Sequence, residues 1–460
     1  MLCSFVLKTL GGLVLAALLL PADIQAADAR DRHVVLISVD GLPAYLLDDP
    51  SAPLPNIRRL AEQGVAAEGM TVSNPSVTWP NHTSLVTGVR PEKHGVLFNG
   101  VLEKAGPGLP IKVNPRKDKA DLVHVSTLYD VLAERGLTTG EINWPCTRGS
   151  KTLVASFPDV PETFEHTTPA FVESLKRAGI VSDASIKEFG KLSPSARDLL
   201  WTRAACHLIA DQQPNFVLVH LLNVDAVHHK YGPKTFAGYS AVAYADACVG
   251  EILEAIEAAG LRETTTVMIV ADHGFQAIPK TIQPNVLLRQ AGLLTVENNQ
   301  VATARAHVFP EGGIGMLYLT TPDKGADREK VLELFRDKEG VADVLTPVDF
   351  GKYGLPQPDQ YEQMADLIIV AKDGYGVGGG ATGDDFVVKS EATLGTHGFL
   401  STNPLMNAVF IAAGAGVKPG TKLPVIENID VAPTVAKLLG VDLPNADGQV
   451  LLKADGSPAK

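Results

Sequence analysis

The chain has 460 residues, 45% hydrophobic and 20% charged, which is the composition of a packed globular protein and too long for one minimal core. One large α/β domain with insertions, or two domains, is the expectation. A formal net charge of -12 at pH 7 disfavours coating a nucleic-acid polymer or an anionic membrane surface, and leaves a small anionic substrate open where a local cation offsets the field.

At the N-terminus, Lys8, an apolar run over residues 10–20 and "PADIQA" ending at Ala26 read as a cleaved export leader, residues 1–26. The run is too short for a comfortable membrane span and no second one follows, so a secreted or periplasmic protein without a stable membrane anchor is expected. Beyond Cys3 the chain carries Cys146, Cys206 and Cys248, enough for one intramolecular bridge whose pairing stays open. No pair has zinc-finger spacing, so any metal must be held by His, Asp and Glu.

Strand and helix patterns then alternate. "HVVLISVDG" (33–41) is a continuous apolar run stopped by Asp-Gly, the pattern of a strand buried on both faces. "NIRRLAEQG" and "TLYDVLAERG" read as helices with glycine stops. "NPSVTWPNHTSLVTG" (74–88) fits neither period, and its Thr78 reads as a cap for a following helix or as a nucleophile. "ARDLLWTRAACHLIADQQ" reads as a helix before the strand "PNFVLVHLLNVD", and "YADACVGEILEAIEAAG" as a helix before the strand "TTTVMIVADHG". Such repeats predict an α/β fold with a mostly parallel central sheet sandwiched by helices. Periodicity weakens over 285–385, which reads as an inserted, smaller α+β capping lobe, with "DGYGVGGGATGDD" as a hairpin or loop. The catalytic core is then expected over 27–284 and 386–460, resuming with "NAVFIAAG" and the helix "IDVAPTVAKLLG", which Asp430 could cap.

In such sheets ligands collect beyond the carboxyl ends of the strands, where Asp40, Asp225 and Asp272 stand. Asp225 and His229 are four apart, so one helical turn aims both at one point. Asp272 and His273 are adjacent, and His397 in "GTHG" completes six oxygen and nitrogen ligands of a kind zinc accepts. Any one alone is more often a turn former or a satisfied histidine; chance does not easily put six at matching strand ends. His82, His94 and His228 are assigned to structure, Cys146 to a buried free thiol, and Trp79 either lines the pocket or packs beneath it.

In that order, "VLISVDG", "PSVTWPNHTSLVTGVRPEKHG", "NVDAVHHKYGP", "VADHGF" and "GTHGF" resemble the motifs of the alkaline phosphatase superfamily. They are closest to its nucleotide pyrophosphatase/phosphodiesterase (type I phosphodiesterase) branch. The resemblance implies two divalent ions, zinc being the ion that fits best. One would be held by Asp225, His229 and His397, the other by Asp40, Asp272 and His273 with the Thr78 oxygen. It further implies that Asn81 donates to a phosphoryl oxygen and that Thr78 forms a covalent phosphothreonine intermediate. Coordination favours the threonine alkoxide, and a second ion about 4 Å away stabilises the leaving oxygen.

The substrate expected is a small phosphodiester or a nucleotide pyrophosphate. No Lys-Arg motif of the monoesterases stands near "STLYDVLAERGLTTGEINWP". Thr78 cannot mature into the aldehyde hydrate of the main sulfatases. A phosphomonoesterase or phosphonoacetate-hydrolase-like enzyme is the enzymatic alternative, and a catalytically silent metal-binding protein the other. Leaving group, metal identity and oligomeric state stay open.

Overall fold

In the computed structural model, residues 29–452 and 456–459 are described; the leader expected over 1–26 lies outside them. Eight strands form the main sheet, in the order Thr421–Leu423, Val65–Ala67, Phe410–Gly414, Thr265–Val270, His33–Val39, Phe216–Leu221, Thr139–Ile142, Ala155–Phe157. Strand Phe410–Gly414 runs antiparallel to both neighbours, and the remaining pairs are parallel. The sheet is therefore mostly parallel, as the strand-helix alternation predicts. Valines and leucines of the central strands are buried on both faces because helices cover both. Each such side chain contributes roughly 1.5–3 kcal/mol over its exposed state.

Helices Pro55–Gln63, Pro194–Gln212 and Phe236–Ala258 pack together as one layer; Thr78–Thr87, Leu128–Glu134 and Val431–Leu438 form another. Asp430 precedes the last of these but does not cap it. Its carboxylate accepts the Glu427 and Gln449 N–H groups instead, tying two loops together.

Between residues 276 and 396 the chain leaves the main sheet. Strand Gln276–Ile282 pairs antiparallel with Val387–Thr396 and parallel with Tyr375–Val377, which is the strand inside the glycine-rich stretch. A four-stranded antiparallel sheet, Ala306–Pro310, Ile314–Leu319, Leu367–Ala371 and Val341–Leu345, stands beside helix Gly325–Phe335. Its inner face shares a core cluster with Leu97, Phe98, Leu102 and Ile111, so the loop after the Thr78 helix packs on this second sheet. No helix among the described residues is long and apolar enough to cross a membrane.

Candidate active site

Three neighbouring parallel strands, Thr265–Val270, His33–Val39 and Phe216–Leu221, end in line, and the residues just past them are Asp272 with His273, Asp40, and helix Asn223–Tyr231 carrying Asp225 and His229. Gly41, at φ +65°, turns back so that its N–H donates to Asp272 Oδ1 at 3.1 Å; a β-carbon there would stand 3.0 Å from the Phe275 ring. His397 comes from far along the chain. The pairing of Gln276 with Thr396 lays it over His273, the two rings stacked 3.6 Å apart at 10°.

Each of the three candidate histidines has one nitrogen committed. His229 Nδ1 lies 3.3 Å from the Gly395 carbonyl, His397 Nδ1 2.9 Å from that of Ser76, and His273 Nδ1 3.1 Å from that of Gly274. A carbonyl only accepts, so each Nδ1 carries the hydrogen and each Nε2 is left as a lone pair. Those lone pairs meet carboxylates. His229 Nε2 is 3.3 Å and His397 Nε2 3.7 Å from Asp225 Oδ1, and His273 Nε2 is 3.4 Å from Asp40 Oδ1 and 3.1 Å from Asp272 Oδ2. Among the described residues, Asp40 Oδ1, Asp225 Oδ1, Asp272 Oδ2 and His273 Nε2 are buried without a hydrogen-bond partner. Orphaned polar atoms of this kind cost about 1–3 kcal/mol each unless something else binds them. A divalent cation fits that donor set: acceptor-only atoms, all facing inward, each ligand braced from behind.

Asp225, His229 and His397 make one cluster of metal-ligating geometry, and Asp40, Asp225 and His273 another, with ligand atoms within 4.8 Å of one another in each. All six predicted ligands are thus brought together, with Asp225 standing between the groups. Burial, reinforced by the Asp272 and Asp225 charges, pushes the Asp40 carboxyl well up, and burial raises Asp272 to about 7. Burial works the same way on Asp225, but the imidazoles of His229, His397 and His273 outweigh it and hold that carboxyl low. Crowding of this kind is what a bound cation relieves.

Thr78 is the first residue of helix Thr78–Thr87, with Val77 in the capping position, so the hydroxyl is not a cap. Among the described residues nothing hydrogen-bonds to its Oγ1. Two residues earlier the Ser76 carbonyl holds His397, and four later His82 Nδ1 lies 2.9 Å from the Thr78 carbonyl and 3.7 Å from Asp272 Oδ2. Thr78 is bracketed by residues that touch each ligand group. His94 braces Ser84 and the Val96 N–H, and His228 packs buried against Phe275 with no hydrogen-bond partner among the described residues.

Asn81 does not serve as expected. Its Oδ1 accepts from the Ser73 N–H and Asn428 Nδ2, and its Nδ2 donates to the Pro75 and Val77 carbonyls, so the carboxamide has no hydrogen to spare for a phosphoryl oxygen. It braces the loop below Thr78. The side chain that does reach this turn is that of Asn99, an exposed residue whose Oδ1 accepts the Trp79 N–H at 2.9 Å; among the described residues nothing hydrogen-bonds to its Nδ2. His220, inside a buried strand, was missed as well: its Nε2 is 2.9 Å from Asp40 Oδ2 and its Nδ1 2.9 Å from the Asn143 carbonyl. Trp79 packs beneath the site rather than lining it, 5% exposed among Val96, Leu122, Val123 and Cys146. The three described cysteines are free, and burial pushes the Cys146 thiol up to about 12.

The family model described as Type I phosphodiesterase / nucleotide pyrophosphatase matches residues 34–400. The chain belongs to that family. Among similar proteins, human ectonucleotide pyrophosphatase/phosphodiesterase family member 1 is 24% identical over 424 residues, covering 88% of this chain but 40% of the relative. The chain thus spans about two fifths of that relative's length. Mouse family member 7 is 24% identical over 438 residues, covering 93% of this chain and 88% of its own. The structure of human ectonucleotide pyrophosphatase/phosphodiesterase 5 superposes with a TM-score of 0.67 at 18% identity, over 91% of this chain and 97% of that one. This type I phosphodiesterase family chain shares the fold of that structure, the α/β architecture that its alternating strands and helices predict.

Proposed function

We propose that the protein is a two-metal hydrolase of phosphodiester or nucleotide pyrophosphate bonds with Thr78 as nucleophile. The observation that carries the reading is the convergence of three histidine Nε2 lone pairs and three orphaned aspartate oxygens, with Thr78 held between Ser76, whose carbonyl meets His397, and His82, which meets Asp272. Asp225, His229 and His397 would hold one cation; Asp40, Asp272 and His273 with the Thr78 oxygen would hold the other, and zinc suits these donors. Bound there, the cations neutralise the crowded carboxylates and lower the pKa of a hydroxyl or water.

Thr78 Oγ1, having lost its proton to water, attacks phosphorus in line; the bond to the leaving alcohol breaks and that alcohol takes up a proton. The product is a phosphothreonine diester, and water then cleaves its P–Oγ bond to restore Thr78. Asn99 Nδ2 donates to a non-bridging oxygen, and the first turn of the Thr78 helix favours the negative phosphoryl group. A murine relative solved as an inactive threonine-to-alanine variant in complex with AMP supports both a threonine role and a nucleotide-sized substrate. A frog relative named a bis(5'-adenosyl)-triphosphatase supports pyrophosphate bonds as targets. Residues 285–385 would form a lobe over the site, and residues 1–26 an export leader; N-terminal sequencing of the secreted protein beginning at Ala27 would support the latter.

The test is a pair of esters. The zinc-loaded protein should hydrolyse bis(p-nitrophenyl) phosphate faster than p-nitrophenyl phosphate, and chelation should abolish both activities. A faster monoester selects the phosphatase reading, and metal binding without hydrolysis of either selects the binding protein.

A further inference from the structure

We propose that Asp159 is a positioning residue for phosphoryl binding, acting through Trp79 to hold the backbone N–H that aims the Asn99 carboxamide. The inference rests on the phosphodiesterase reading above. Asp159 lies just past strand Ala155–Phe157, at the edge of the main sheet, and no sequence motif includes it. Its Oδ2 accepts the Trp79 indole Nε1–H at 3.1 Å. No other side-chain hydrogen bond and no ion pair reaches this carboxylate among the described residues.

Trp79 is therefore held from two sides. Its indole is anchored by Asp159, and its backbone N–H donates to Asn99 Oδ1 at 2.9 Å. Trp79 is the second residue of helix Thr78–Thr87, where backbone N–H groups have no acceptor within the helix, so order there depends on side-chain anchors. An asparagine whose oxygen is pinned must present its NH₂ on the opposite side. Fixing the Trp79 N–H thus fixes the direction of Asn99 Nδ2, and it does so one residue away from the nucleophile. The loop carrying Asn99 is clamped from its other flank, where the Phe98 ring meets Phe309 of the second sheet edge-on at 5.5 Å.

Packing around the indole competes as an explanation, since a buried tryptophan N–H needs some acceptor whatever its role. Substitution separates the two. Asp159→Ala should lower kcat/KM for bis(p-nitrophenyl) phosphate about tenfold, mostly in kcat, whereas Asp159→Asn, which still accepts the N–H, should stay within about threefold. Trp79→Phe, which deletes the N–H together with part of the indole's volume, should lose at least as much as Asp159→Ala, and circular dichroism of each variant guards against misfolding. The deciding readout is coupling: in an Asn99→Ala background Asp159→Ala should cost less than about twofold more.

Orthovanadate affinity of the zinc-loaded protein, measured by calorimetry, should follow the same cycle without any turnover. Additive losses in the double variant, or Asp159→Asn as impaired as Asp159→Ala, would overturn the relay. An Asn99→Ala protein that binds vanadate and turns over diester like wild type would overturn it too. A wild type that binds vanadate with the predicted coupling but cleaves no diester would retain the relay and discard the phosphodiesterase reading.

Discussion

The two candidate metal-binding groups share Asp225 and the same kinds of atoms, yet their surroundings differ. In the outer group the side chains of His229, Asp225 and His397 are 42%, 14% and 12% exposed; in the inner group Asp40 is 1% exposed and Asp272 and His273 are closed to solvent. The inner ligands are also braced twice over, Asp40 by His220 and Asp272 by the Gly41 N–H. The outer ones rest on the Gly395 and Ser76 carbonyls and on one helical turn. Burial sharpens electrostatic interactions and rigidity sets geometry, so the inner group should grip its cation and hold the nucleophile, while the outer can exchange water and the departing alcohol.

The contrast breaks most severely at the inner group. Asp272→Asn should lower diester hydrolysis on the order of 10⁴-fold and remove one metal equivalent by elemental analysis, and added zinc should not restore it. His229→Ala should cost roughly 100-fold and recover in millimolar zinc, because an exposed ligand can be replaced by water. Recovery of Asp272→Asn but not of His229→Ala would invert the assignment. His220→Ala, which frees Asp40 without touching a cation, should weaken zinc at the inner group about 10–100-fold in competition with a chelating dye.

The smallest effect is a control on burial itself. Glu141 is a buried carboxyl like Asp40 and Asp272 but has no ligand cluster; burial raises it to about 7 against the Trp144 N–H and the Thr147 and Ser156 hydroxyls that oppose the rise. With the folded value above the unfolded one, its contribution to stability is complete below about 4.5 and is lost as pH rises through about 7. Wild type should therefore lose roughly 1–3 kcal/mol more than Glu141→Gln between pH 5 and pH 8 in urea titrations. Equal losses would show that burial alone does not strain carboxyls in this core.

How legible the site was in sequence follows from where its residues lie. Asp40, Asp225 and Asp272 stand at the ends of continuous apolar runs, and their polarity against those runs announces them. His229 and His273 are a helical turn or one residue from an aspartate already in view. His397 has no aspartate beside it in sequence, and its place among the others depends on the pairing of Gln276 with Thr396. The motif resemblance points to Asn81, but its side chain turns inward to Ser73 and Asn428. Asn99 carried no signal, since the contact that places it is a backbone N–H across a loop, and His220 hid within a strand whose other residues are apolar. Alternation of strand and helix predicted the main sheet, whereas the short antiparallel strands between 276 and 396 have no period long enough to mark their edges.

The central claim is that Thr78 attacks phosphorus between these two groups. Wild type and Thr78→Ala, both saturated with zinc, should be compared on bis(p-nitrophenyl) phosphate, with acid-quenched wild type examined by mass spectrometry for a phosphoryl adduct on Thr78. A loss of at least about 10⁴-fold in the variant and an adduct on Thr78 in wild type are predicted. Hydrolysis by Thr78→Ala within about tenfold of wild type, with no adduct, would contradict the account.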